Sequence, residues 1–179
     1  MPRALVNFVR LVDRMNYGIG RLAMFLLFVL MGVLMWSTLS KALFTPALWT
    51  LEMAQFVMVA YWVLGGPYAM QMNSHVRMDL FYAKLSPVRQ AWWDAFTVLA
   101  LIFYLGVMLY GAVDSTIYSF AYAERSPTAW RPPMWPIKVI LCVGFSLMLL
   151  QALAALVRDL ATIRGVPIPP GPAQKEPAA

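Results

Sequence analysis

The sequence predicts an all-α integral membrane protein: four transmembrane helices preceded by an interfacial amphipathic helix. Three observations carry that prediction. Hydrophobic residues make up 61% of the 179-residue chain and charged residues only 12%, whereas a soluble domain runs near ~45–50% and ~25%. The charges cut the chain into four uncharged apolar stretches, Leu22–Ser40, Met53–Ser74, Ala95–Val113 and Val139–Val157. Each is close to the ~20 residues that a helix needs to cross ~30 Å of hydrocarbon. Continuous apolar runs exclude the alternating pattern of a barrel strand, the other structure that satisfies its backbone in lipid. So few charges exclude a soluble enzyme of this length. One cysteine, Cys142, and one histidine, His75, exclude an intrachain disulfide and a multi-histidine site.

The chain divides into a membrane domain over 1–164 and a tail over 165–179. The first segment, 1–21, carries Arg3, Arg10, Arg14 and Arg21. At about 100° per residue these fall within roughly 20° of one line on a helix, with Phe8, Val9, Val12 and Ile19 opposite. This is the pattern of a helix lying in the inner leaflet with its arginines toward anionic head groups; a cytoplasmic extension of the first span is the alternative. The spans follow at about 22–44, 50–74, 87–114 and 136–158. The first is too long for a signal-peptide core and no small-x-small site follows it, so it reads as a retained signal-anchor.

Lys and Arg set the orientation. Ten of the fourteen lie in the N-terminal segment, the connection between spans two and three (Arg77, Lys84, Arg89) and the C-terminal segment (Arg158, Arg164, Lys175). Four, Lys41, Arg125, Arg131 and Lys138, lie on the other side. Both termini are therefore expected in the cytoplasm. The net charge of +6 reads as this topology signal, not as a nucleic-acid footprint.

The connections have their own signals. Thr50 is expected to cap the second span, with Glu52 in its first turn near the positive dipole end. Met78–Leu85 reads as a short interfacial turn or helix, after which Ser86 caps a new helix with Pro87 at its first position. Trp92 and Trp93 fall at the inner aromatic belt. The longer outer loop, from Glu124 to Pro136, holds Pro127, Pro132 and Pro133, which forbid a regular helix and stiffen an extended path into the fourth span. Asp114 and Lys138 are placed to pair at the outer boundary. Five prolines make the tail polyproline-like.

Chemistry is scarce. None of the four apolar stretches contains Asp, Glu, Lys, Arg or His, and Glu52, Asp94, Asp114 and Lys138 all sit at helix ends; a membrane carrier or enzyme places functional ionisable groups in mid-bilayer. That disfavours a drug/proton exchanger and a haem subunit with paired axial ligands. No nucleotide or metallohydrolase motif is present, and no cofactor or metal is expected. Gly65-Gly66-Pro67 marks either a broken helix with a substrate site or, as the sequence favours, a kink with close helix contact. His75 and Asp79, four apart, form either a proton-tuning pair or a structural polar contact at the interface.

Glu52 opening the second span, Gly65-Gly66 within it and His75-Val76-Arg77-Met78-Asp79 after it resemble the small membrane subunit of TRAP (tripartite ATP-independent periplasmic) transporters. The outer stretch Trp130-Arg131-Pro132-Pro133-Met134-Trp135-Pro136-Ile137-Lys138 is similar to the mannitol/chloroaromatic-type branch. The resemblance runs from the first span through the fourth. It implies a non-catalytic, multi-pass scaffold in a bacterial inner membrane, bound to a large multi-span permease subunit that carries the substrate and sodium sites. A periplasmic solute-binding protein would deliver the substrate, commonly an organic acid. Carried onto this chain, Glu52, Gly65, Gly66, His75, Asp79, Arg125, Trp130, Arg131 and Trp135 become candidate partner contacts. Trp130 and Trp135 remain open between belt residues and contacts, as do Arg125 and Arg131 between solvated loop charges and contacts. Competing readings are a homo-oligomeric carrier or channel, and a membrane anchor for a peripheral oxidoreductase.

Overall fold

The computed structural model describes residues 3–43, 45, 47–72 and 87–165. They form four helices: α1 (Arg3–Leu43), α2 (Thr50–Gln71), α3 (Pro87–Ala121) and α4 (Trp135–Ile163). Pro87 opens α3 at the position expected for it, since its missing N–H would find no helical partner there. Gly165 stops α4 with φ +72°, its N–H donating to Thr162 O at 3.0 Å. The expected interfacial turn, its Ser86 cap, His75, Asp79 and the proline-rich tail beyond Gly165 lie outside the described residues.

The separate interfacial helix over 1–21 is replaced by the first turns of α1, which runs unbroken for 41 residues, or about 61 Å. Nothing at Arg21 interrupts it: Tyr17–Leu22 contains no proline, and Asn16, Gly20 and Ala23 are buried on its inward side. The amphipathic pattern is nevertheless present: Arg10, Arg14 and Arg21 are exposed while Val9 and Val12 are buried. Their apolar face meets protein, packing on Ala154, Leu150 and Val157 of α4.

α2 lies between α1 and α4, which also touch each other, and α3 packs chiefly on α4. Glycine sets the closest approaches. A Cβ on Gly144 of α4 would stand 2.0 Å from Val63 Cγ1 and 3.1 Å from Val63 O. One on Gly20 of α1 would stand 2.4 Å from Tyr68 Cβ. Small residues at crossings are the membrane-type solution, where van der Waals packing holds helices together without a hydrophobic drive.

Among the described residues, the interior is small or polar and the exterior large and apolar. Ala152, Ala154, Asp13, Asn16, Gln151 and Ser119 are buried; Phe25, Phe28, Phe96, Phe103 and Tyr110 are exposed. Three helices, over Leu5–Leu43, Trp92–Ala121 and Trp135–Ile163, are long and apolar enough to cross a membrane. α2 is not among them. Its 22 residues include Glu52, Gln55, Gln71 and the run Gly65-Gly66-Pro67, which leave it without a stretch as apolar as the best one in each of the other three. The helix continues through Pro67 to Gln71, so no broken segment exists there.

Candidate functional site

Two polar assemblies occupy opposite ends of the bundle. The first joins α1, α2 and α4. Asp13 of α1 forms an ion pair with Arg158 of α4 and accepts a 3.2 Å hydrogen bond at Oδ1 from Gln151 Nε2. Because a carboxylate only accepts, Gln151 must turn its amide nitrogen to Asp13 and its oxygen away. That oxygen then accepts from Asn16 Nδ2 at 2.7 Å and from Gln71 Nε2 at 3.1 Å. Gln71 Nε2 also reaches Asp13 O at 2.8 Å. Each orientation thus follows from the one before. Asp13, Asn16, Gln71 and Gln151 are all nearly solvent-free, so the bonds made here offset part of the cost of burying them, while Asn16 Oδ1, Gln71 Oε1 and Arg158 Nε find no partner among the described residues.

The assembly was only partly visible in the sequence. Asp13 and Asn16 lie on the side of α1 that also carries Val9 and Val12, and two polar residues on an apolar face are a signal. Gln151 is an amide, and a search of the spans for ionisable groups passes over it.

The second assembly is the loop between α3 and α4. An extended path was expected; instead the chain turns back on itself. Arg125 and Pro133 form an antiparallel bridge, Ser126 N–H donates to Pro132 O at 3.0 Å and Met134 N–H to Glu124 O at 3.0 Å. Ala123 (φ 45°) and Arg131 (φ 49°) take left-handed backbone conformations to make the reversal. Lys138 pairs with Glu124 instead of the expected Asp114, and its Nζ also donates to Ser115 O at 3.3 Å. The turn carries Glu124 back over the start of α4, while Asp114 points outward and is exposed. The ammonium of Lys138 holds the Glu124 carboxyl below its ordinary pKa.

The expected contact residues separate into two groups. Arg125, Trp130, Arg131 and Trp135 are exposed together on this loop and the start of α4, with Trp135 stacked 5.5 Å from Phe120. Glu52 and Gly66 face inward. Glu52 is 5% exposed, its Oε2 without a hydrogen bond among the described residues. Thr50, the residue expected to cap α2, is its first helical residue; its hydroxyl donates to Ala47 O at 2.8 Å and lies 3.1 Å from Ser37 Oγ. A Cβ on Gly66 would touch Met148 at 3.0 Å, whereas one on Gly65 would meet nothing within 4 Å. On α1, Arg21 stands 5.8 Å over the Tyr17 ring. Among the described residues no group of His, Cys, Asp and Glu is placed to hold a metal ion.

No curated protein matches the chain. A family does: the profile described as "Tripartite ATP-independent periplasmic transporters, DctQ component" matches residues 10–162, a range that runs from the arginine face of α1 almost to the end of α4 and includes both polar assemblies. The chain belongs to the DctQ family and is the small membrane subunit of a TRAP transporter.

Proposed function

We propose that this subunit is the non-catalytic scaffold of a sodium-coupled transporter, bracing the large permease subunit and helping a periplasmic solute-binding protein dock for organic-acid uptake. The observation that carries this reading is the use made of the buried polar groups. Asp13, Asn16, Gln71, Gln151 and Arg158 bond helix to helix, which supports a bracing role and leaves transport to a partner.

In this reading all four helices span the membrane and both termini are cytoplasmic. α2 is about 33 Å long, enough to cross, and two of its polar side chains, Glu52 and Gln71, are buried against neighbouring helices. The exposed Arg10, Arg14 and Arg21 sit at the Arg158 end of the bundle and face anionic lipid there. The opposite end presents Arg125, Trp130, Arg131 and Trp135 to the binding protein from a loop whose ends are tied together. A tied loop loses less entropy on docking than a free one. His75 and Asp79 stay as candidate contacts on the cytoplasmic side.

Mild-detergent purification of the tagged chain from its native membrane, with mass spectrometry of what accompanies it, tests the scaffold role. A large multi-span protein in stoichiometric amount is expected. Recovery of the chain alone as a defined oligomer would overturn the reading in favour of a homo-oligomeric carrier.

A further inference from the structure

The helices differ in what they expose. From Leu22 to Trp36, the outward face of α1 carries Leu22, Phe25, Phe28 and Met35, and α3 exposes Phe96, Leu99 and Phe103 together with Tyr104 and Tyr110. These faces are largely apolar and carry no amide or charge. α2 exposes something else. Leu51, Gln55, Met58, Trp62 and Gly65 recur at intervals of four and three, so they line one face at the spacing of a helix–helix seam. α1 and α4 hold the other sides of α2, through Tyr68 against Gly20 and Val63 against Gly144.

Two groups on this face are out of place in lipid. The Gln55 side chain is exposed and makes no hydrogen bond among the described residues, although it lies about 8 Å in from the start of α2. Trp62 is 66% exposed, about 18 Å from one end of α2 and about 14 Å from the other. It is held edge-on against Tyr61 at 6.0 Å. A tryptophan facing lipid belongs at the head-group level, where its N–H meets water, not half-way along a span. Two turns separate Gln55 from Trp62, and one further turn brings Gly65, whose open side would admit a large side chain.

We infer that this face of α2 receives a transmembrane helix of the large permease subunit, one that offers hydrogen-bonding groups to Gln55 and Trp62 and seats a bulky side chain at Gly65. The inference rests on the four-span scaffold reading above. Polar side chains and small residues together form the kind of surface on which membrane helices associate.

The test uses the whole complex in its native membrane. A Cβ at Gly65 meets nothing within 4 Å, so Gly65→Leu should leave the subunit's yield and melting temperature unchanged. Recovery of the large subunit with it should fall at least tenfold. Gly32→Leu on α1, equally open but on an apolar face, should leave recovery intact. Gln55→Leu should reduce recovery a few-fold. A photo-crosslinking residue at Met58 should give an adduct with the large subunit.

If Gly65→Leu retains the large subunit, or Met58 gives no protein adduct while the wild-type complex is intact, the face meets lipid and the inference fails. An adduct of twice this chain's mass assigns the face to a second copy and overturns it too. A wild-type chain that recovers no large subunit overturns the scaffold reading, and this inference with it.

Discussion

Asp13 and Arg158, 145 residues apart, form an ion pair that ties the first helix to the last. Asp13 is almost completely buried and Arg158 largely so. Taking one partner from such a pair strands the other, a loss of about 3–5 kcal/mol, while replacing both with apolar residues is often far less damaging. Arg158→Leu is therefore expected to lower the stability of the solubilised subunit by an amount of that order. The double variant Asp13→Leu/Arg158→Leu should recover much of it. Unfolding midpoints of the two variants check this; a double variant no better than the single would mean that the pair is not the main contact there.

Gly144 is the tightest point of the α2–α4 crossing. Gly144→Ala puts a methyl into Val63, whose backbone oxygen leaves little room to retreat. Overpacking of this kind costs about 1–3 kcal/mol. The same change at Gly111, with nothing within 4 Å, should be neutral or slightly stabilising, because alanine is the better helix former. Thermal melts of the two variants side by side would show the contrast.

The Glu124–Lys138 pair predicts how the outer loop responds to acid. Lys138 lowers the Glu124 pKa in the folded chain. The pair's contribution is therefore complete above the ordinary carboxyl value of ~4.3 and is lost as pH falls through the lower folded value. A spin label at Thr128 should stay immobile at neutral pH and gain mobility only below ~4. Glu124→Gln should make the loop mobile at every pH. A label that loosens between pH 6 and 8 would contradict this assignment.

Arg131 combines an exposed guanidinium with a left-handed backbone, and the two contributions separate by substitution. Arg131→Gly relieves a conformation costing about 1–2 kcal/mol for an L-residue and should not weaken the fold, yet it removes the charge. Arg131→Glu keeps the strain and reverses the charge. Both are expected to reduce uptake at limiting binding-protein concentration, the second more strongly. Uptake unchanged in both across binding-protein concentrations would remove Arg131 from docking.

The starts of α2, α3 and α4 were legible in the sequence because turn-forming residues precede each of them, whereas α3 and α4 run past the expected span ends at 114 and 158 to Ala121 and Ile163. Pro87 opens α3, Thr50 is the first helical residue of α2, and α4 starts within a residue of its expected position. Helix continuity was not legible at Arg21: four arginines on one line describe an interfacial helix and the start of a longer one equally well. What separates the two is that Val9 and Val12 find Ala154 of α4, a contact between residues more than a hundred positions apart. The polar assembly at that end was hidden for a related reason. Asp13 falls in a segment already explained by its arginines, and Gln151 carries no charge to mark it. At the loop, the prolines correctly ruled out helix, but the reversal depends on left-handed residues at Ala123 and Arg131, and neither residue type announces that conformation.

The partners of Asp13 are spread along the chain in the order in which the ribosome makes it. Gln71 emerges 58 residues later, Gln151 138 later and Arg158 145 later. At roughly 5–20 residues per second, synthesis of that interval takes on the order of ten seconds. The tie between the first helix and the last is accordingly completed only when Arg158 has been made, whereas Gln71 and Tyr68 are in place to fasten α1 to α2 well before that.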